Sequence, residues 1–98
     1  MNTYMVVIQL PEEMTEKFLR LIPKQRAQID KLMDESKIIQ YALASDRSQL
    51  WVTVSALTLK GAQDIINTFP LRAYMQPTFI ELAFYNSIST ELPKLIMK

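Results

Sequence analysis

Four runs rich in β-branched and aromatic residues alternate with two helix-like segments along this 98-residue chain. The strand-like runs cover residues 3–10, 37–45, 48–56 and 77–85, and the helix-like segments cover residues 12–36 and 57–69. The order strand, helix, strand, strand, helix, strand predicts an α+β protein with the ferredoxin-like βαββαβ fold. In that fold a four-stranded antiparallel sheet carries both helices on one face. We expect one domain over residues 1–88 and a C-terminal tail over residues 89–98 that docks at an interface.

Charge and hydropathy exclude two classes of partner. Lysine and arginine total 11 against 10 for aspartate and glutamate, so the net charge is +1 and the chain offers no basic stripe. Because clustered cations are what bind phosphate backbones, we expect no nucleic-acid partner. No apolar run approaches the roughly 20 residues of a membrane helix, and the N-terminus has no signal-peptide pattern. We therefore expect a cytoplasmic protein without a membrane partner.

Two residue types that carry much of enzyme chemistry are absent. The chain has no cysteine, which excludes disulfides, thiolate nucleophiles and thiolate metal sites. It has no histidine either, and therefore lacks the usual general base near neutral pH and the commonest transition-metal ligand. Proton transfer in this protein would have to use aspartate, glutamate, tyrosine, lysine or bound water.

The first helical segment has an apolar stripe with one position filled by a polar residue. The stripe consists of Phe18, Ile22, Ile29, Leu32 and Met33, and Gln25 takes the remaining position. Pro23 lies inside this pattern, where proline costs about 3 kcal/mol. We expect either a kink or a short helix followed by a longer one that starts at Pro23. In the second helical segment, Thr58 is the predicted N-cap.

Alternation along the strands assigns the side chains of the sheet to two faces. The purely apolar sets, which we expect to face the helices, are Tyr4, Val6 and Ile8; Leu50, Val52, Val54 and Ala56; and Ile80, Leu82 and Phe84. The other face mixes Met5, Val7, Trp51, Phe79 and Tyr85 with the polar Gln9, Thr53, Ser55 and Glu81. A mixed surface of this kind favours packing on the sheet of a second subunit, around a partly wet cavity.

The connection between the second helix and the last strand reads FPLRAYM, from Phe69 to Met75, and is unusually apolar for a loop. Its Pro-Leu-x-x-Tyr-Met pattern, with the segment AQIDKLMDESK leading straight into the second strand, resembles the muconolactone isomerases of the dimeric α+β barrel superfamily. The resemblance implies a double-bond shift in an unsaturated lactone, without metal or organic cofactor. It also implies a homodimer or a higher closed homo-oligomer.

Two glutamines occupy positions where this family has proton carriers. Gln25 stands where the resemblance implies an acidic residue on the inner face of the first helix, and Gln40 where it implies a histidine on the second strand. Neither amide can accept and return a proton as a carboxylate or an imidazole does. Both remain polar, so we interpret Gln25 and Gln40 as substrate-binding residues. The alternatives for Gln25 are a satisfied buried amide or a side chain turned outward by a kink at Pro23.

Four further residues are candidates for binding a small acid. Arg26 and Arg72 have the side chain that clamps a carboxylate bidentately, although solvated surface arginines are the commoner case. Trp51, on the mixed face, would form a flat wall against a ring or anchor a subunit interface. Thr53, on the same face, would contribute a hydroxyl.

Two residues are candidates for proton transfer. Alternation places Glu81 on the mixed face, where burial would favour its protonated form, whereas a register change of one residue would send it to solvent. Tyr74, in the FPLRAYM loop, is a candidate to donate a hydrogen bond to a developing oxyanion, or simply to pack.

Two functions therefore stay open. One is a cofactor-independent isomerase or lyase acting on a small unsaturated lactone or carboxylic acid. The other is a non-catalytic, oligomeric small-molecule-binding protein that has lost the proton carriers of the family. A third interpretation is an assembly module whose tail, ELPKLIMK, docks on a neighbouring subunit.

Overall fold

The computed structural model describes residues 1–88, in which two helices pack on a four-stranded sheet. The elements are β1 (Asn2–Gln9), α1 (Glu16–Asp34), β2 (Ile38–Leu43), β3 (Gln49–Ala56), α2 (Leu59–Asn67), a 3₁₀ turn (Arg72–Tyr74) and β4 (Gln76–Leu82). This is the predicted βαββαβ order. The tail predicted over residues 89–98 lies outside the described residues.

The sheet is antiparallel throughout, with strand order β2-β3-β1-β4. Its centre is the pair β1 and β3, in which Val6 lies opposite Val52. Helix α1 packs over β2 and helix α2 over β3. The core between helices and sheet contains Tyr4, Val6, Ile8, Phe18, Ile29, Leu32, Ile38, Leu50, Val52, Val54, Ala62 and Ile66. The predicted ferredoxin-like fold is confirmed, and so are the predicted core faces of β1 and β3.

Helix α1 runs without a break from Glu16 to Asp34. Thr15 caps its first turn, since its Oγ1 accepts a hydrogen bond from the Phe18 N–H at 3.2 Å. Pro23 lies inside this continuous helix, so of the two expected alternatives the one with two separate helices is wrong. The helix ends in a Schellman motif, in which the Lys37 N–H donates to the Leu32 carbonyl and Ser36 adopts a φ of 59°.

The N-cap predicted for the second helix is confirmed. The Oγ1 of Thr58 accepts a hydrogen bond from the Gly61 N–H at 3.1 Å, at the start of α2. Ala62 and Ile66 then face the core from successive turns of this helix.

The faces predicted for β4 are wrong. Phe79 pairs with Val6 and Glu81 pairs with Tyr4, so Phe79 and Glu81 lie on the helix side of the sheet. Ile80 pairs with Met5 on the opposite side and is 48% exposed. The register against β1 decides the face, and β4 lies at the edge of the sheet away from the strands that the helices cover. An edge strand tolerates an exposed carboxylate on its helix side, which alternation of apolar residues alone does not reveal.

The face of the sheet away from the helices is called the open face below, and two rows of its side chains cross all four strands. In the register of the sheet these rows are Gln40, Thr53, Met5 and Ile80, and Ala42, Trp51, Val7 and Thr78. Thr53 is fully buried within its row because its neighbours cover it, and its Oγ1 donates to Gln40 Oε1 at 3.0 Å. The mixed character predicted for this face is confirmed in β1 and β3.

A hairpin joins β2 and β3 through a connection of residues 44–48. The Arg47 N–H donates to the Ala44 carbonyl at 2.9 Å, and Asp46 Oδ1 accepts from both the N–H and the hydroxyl of Ser48. Arg47 has a φ of 63°, in the left-handed region that costs most L-residues about 1–2 kcal/mol. A turn followed by a left-handed residue matches the twist of a hairpin.

Candidate functional site

A cavity of about 210 Å³ lies between helix α1 and the sheet, and is called the inner cavity below. Its apolar wall consists of Leu10, Met14, Phe18, Ile22, Leu43, Leu50, Leu71 and Met75. Its polar groups belong to Gln25, Arg26, Tyr41 and Arg47. An apolar chamber with a few convergent polar groups is the usual form of a small-molecule site.

Gln25 connects three elements around the inner cavity. Its side chain is buried, its Oε1 accepts a hydrogen bond from the Leu71 N–H at 3.1 Å, and its Nε2 donates to Tyr41 Oη at 3.4 Å. The amide therefore ties helix α1 to the FPLRAYM loop and, more weakly, to β2. The alternative of a satisfied buried amide describes this residue better than a free ligand-binding group does.

Tyr41 supplies a phenol group to the inner cavity. Burial raises the pKa of its phenol above the ordinary value, and the hydrogen bond from Gln25 and the charge of Arg26 offset this shift only in part. The phenol is therefore neutral at physiological pH. Its oxygen accepts from Gln25, and within residues 1–88 no acceptor takes its own O–H, which is therefore available to a bound molecule.

Both cationic groups of the inner cavity lie at its rim. Arg26 projects from α1 and Arg47 from the β2–β3 hairpin, and both residues are exposed. No carboxylate belongs to the lining of this cavity within residues 1–88. The local charge therefore favours an anion at the rim.

The FPLRAYM loop forms one wall of the cavity and is part of the core. Phe69, Leu71 and Met75 are buried, and the ring of Tyr74 packs edge-on against Phe18 with 5.3 Å between the centroids. This packing accounts for the apolar composition of the loop. It places Leu71 and Met75 on the inner cavity.

Arg72, predicted to clamp a carboxylate, holds the loop together. Its Nε donates to Asn67 Oδ1 at 2.9 Å and its Nη1 to the Met75 carbonyl at 3.0 Å. These bonds fasten the loop to the end of α2. Arg72 does not line the inner cavity.

A second, larger cavity of about 660 Å³, called the outer cavity below, lies beside the first. It is lined by Gln9, Leu10, Pro11, Glu12, Met14, Asp46, Arg47, Ser48, Tyr74 and Gln76. Leu10, Met14 and Arg47 line both cavities, and this shared border is called the neck below. Tyr74 lies in the outer of the two.

The outer cavity differs from the inner one in carrying carboxylates. Asp46 and Glu12 line it together with Arg47. The hydrogen bond from the Ser48 hydroxyl, supported by the Ser48 N–H, lowers the pKa of the Asp46 carboxyl, so this group is ionised at neutral pH.

The other predicted binding residues lie elsewhere. Gln40, Trp51 and Thr53 are on the open face, whereas Gln25 and Arg26 belong to the helix side. The two positions at which the resemblance implies proton carriers, 25 and 40, therefore lie on opposite faces of the sheet within one chain. The predicted binding residues therefore divide between the helix side of the sheet and the open face.

Glu81 lines neither cavity. Its side chain is exposed on the helix side of the edge strand, so the burial expected for it is absent. Arg47 and Asp46 were missed as site residues, since in the sequence they read only as a turn. A left-handed arginine beside a cavity has no signature in composition or periodicity.

Among residues 1–88, no three or more acidic side chains come together to bind a metal ion, and neither helix has the length and apolar composition to cross a membrane. No protein-family model matches the chain, and a search of curated proteins found no match. Its similarity to the muconolactone isomerases therefore stays a prediction that rests on the FPLRAYM motif and the order of the elements.

Proposed function

We propose that the protein binds a small apolar carboxylic acid in the inner cavity and does not transform it. One observation carries this proposal. In the part of the chain that the structure describes, the polar groups of the cavity are two guanidinium groups, a neutral phenol and an amide that already binds Leu71, with no carboxylate among them. Such a set binds an anion and donates hydrogen bonds to it.

The same set is poorly suited to proton transfer. An isomerase must remove a proton from one carbon and return it to another, which requires a base near the substrate. Tyr41, with its raised pKa, is a donor and a weak base at neutral pH. Glu81, the acid expected to carry the proton, lies outside the cavity.

The size of the inner cavity fits a ring or a short chain. An apolar cavity of about 150 Å³ is large enough to hold benzene. The inner cavity, at about 210 Å³, has room for a small ring while its rim arginines reach the acid group.

We expect trans-cinnamate, an unsaturated aryl acid, to bind at least tenfold more tightly than cinnamyl alcohol, which lacks the charge. Calorimetric titration of both compounds measures the difference. The substitution Arg26→Gln should weaken cinnamate binding by about threefold to tenfold through loss of a cation at the rim.

Arg20→Gln is the matched control for this experiment. Arg20 lies on the same helix, pairs with Glu16 and does not line the inner cavity, so its loss should leave the affinity unchanged. Equal affinities for the acid and the alcohol would contradict the proposal.

A cofactor-independent isomerase is the second candidate, favoured by the position of Tyr41. Its O–H, which no acceptor within residues 1–88 takes, lines the cavity and would stabilise an oxyanion such as a dienolate. Incubation with a muconolactone-type lactone in D₂O distinguishes the two functions. Deuterium incorporation or a double-bond shift that Tyr41→Phe abolishes would select the isomerase.

For assembly, we propose a homodimer in which the open faces of two sheets pack on each other. Its support is the exposure of Ile80 and the half-buried Trp51 and Val7 on a face opposite both helices. Sheets packed face to face bury alternate side chains in a layer about 10 Å thick. A twofold contact of this kind is self-complementary, since each patch meets its own copy.

The substitution Ile80→Glu is expected to convert the dimer into a monomer, because it would place carboxylates in the buried interface. Light scattering coupled to size-exclusion chromatography measures the mass. Leu19→Glu on helix α1 is the matched control, since Leu19 is 50% exposed and lies away from the open face. An unchanged dimer in Ile80→Glu would contradict this arrangement.

A further inference from the structure

The neck between the two cavities is built by two segments that are held together. The Leu10 N–H donates a hydrogen bond to the Ser48 carbonyl at 3.0 Å, which joins the end of β1 to the β2–β3 hairpin. Leu10 and Arg47, one from each segment, line both cavities. Arg47 therefore borders both a molecule in the inner cavity and the outer cavity beside it.

Charge is distributed unequally between the two cavities. Among residues 1–88, the inner cavity and the neck carry guanidinium groups and no carboxylate, whereas Asp46 and Glu12 lie beyond the neck. Both hydrogen bonds from Ser48 end on Asp46 Oδ1, which within residues 1–88 leaves Oδ2 for a ligand. From the inner cavity to the outer one, an apolar wall is therefore followed by a cation and then by an anion.

Arg47 occupies its place at a conformational cost. Its φ of 63° is one of two left-handed non-glycine conformations in residues 1–88, and glycine would adopt it without strain. Residues held in such conformations beside cavities are often functional. A guanidinium group at the neck is a physical reason for an arginine at this position.

We propose that the ligand is a free α-amino acid with an aromatic or large aliphatic side chain. Its side chain fills the inner cavity, its carboxylate binds Arg47 at the neck, and its ammonium group binds Asp46 in the outer cavity. This inference rests on the proposed function and makes it more specific. A zwitterion satisfies both charged groups, whereas a simple acid leaves Asp46 close to a second anion.

Three compounds with the same phenyl ring separate the contributions of the ammonium group and of the carboxylate to binding. They are L-phenylalanine, 3-phenylpropanoate without the ammonium group, and 2-phenylethylamine without the carboxylate. Titration calorimetry should show L-phenylalanine binding at least tenfold more tightly than either analogue. If 3-phenylpropanoate binds as tightly as L-phenylalanine, the inference is overturned and the proposed function stands. If neither acid binds, both are overturned.

Substitutions at the neck test the assigned contacts. Asp46→Asn keeps an oxygen for Ser48 but removes the charge, and should abolish most of the preference for L-phenylalanine over 3-phenylpropanoate. Arg47→Gly should weaken binding of both acids at least tenfold. A preference that survives Asp46→Asn would overturn the inference.

Ser36→Gly is the control for the backbone effect of Arg47→Gly. Ser36 has the other left-handed conformation and lies at the end of α1, outside both cavities. Both glycine variants should melt a few degrees higher than the parent protein, because the strain is relieved. Loss of binding in Arg47→Gly alone then reports the guanidinium group rather than unfolding.

Discussion

Replacing Gln25 with leucine is expected to lower the free energy of unfolding by about 2 kcal/mol. Leucine has a similar volume but accepts no hydrogen bond, so the buried Leu71 N–H loses the partner that it now has at 3.1 Å. An unsatisfied buried donor costs about 1–3 kcal/mol. Urea denaturation followed by circular dichroism measures the change.

Gln28→Leu is the control for this prediction. Gln28 lies one turn further along α1, and its Nε2 donates to Thr68 Oγ1 at 2.9 Å on the exposed side of the molecule. Water replaces that partner, so the expected change is within about 0.5 kcal/mol. Similar effects of the two substitutions would show that Gln25 does not fasten the FPLRAYM loop.

Replacing Phe18 with alanine is expected to have the largest effect, a loss of about 3–5 kcal/mol. The side chain is 3% exposed, lies in the central core and lines the inner cavity. Its removal enlarges that cavity and also removes the edge-on contact with Tyr74, worth about 0.5–1.5 kcal/mol. For a domain of this size the melting temperature should fall by roughly 15–30 °C.

Phe84→Ala tests whether this loss depends on position. Phe84 is 78% exposed, so the same truncation should change stability by less than about 0.5 kcal/mol. Thermal denaturation of both variants gives the comparison. A loss below about 1 kcal/mol in Phe18→Ala would contradict the assigned core.

The local pattern of apolar and polar residues was sufficient to predict the fold. Alternation at Tyr4, Val6 and Ile8 identified the core face of β1, and Thr58 was recognised as a cap from its chemistry. The prediction failed for β4, an edge strand whose Ile80 faces away from the helices. In β4 the register against β1 decides which face of the sheet a side chain occupies. The residues of β4 alone do not show that register.

The candidate site was predicted only in part, because a pocket depends on which elements meet. The gap in the helical stripe pointed correctly to Gln25 as a buried polar residue. The sequence could not show that Gln40 lies on the other face, since a bulge near Ile38 shifts the register of β2. Nor could it show that the turn residues Asp46 and Arg47 line the outer cavity, or that Arg47 also lines the inner cavity next to α1.

The contact between a bound acid and the inner cavity tests the central claim most directly. In a sample with ¹³C-labelled methionine and leucine methyl groups, the ring protons of trans-cinnamate should give intermolecular nuclear Overhauser effects to Met75 and Leu71. Both residues line the inner cavity. Effects to Met5, on the open face, with none to Met75 or Leu71, would contradict the assignment of the binding site.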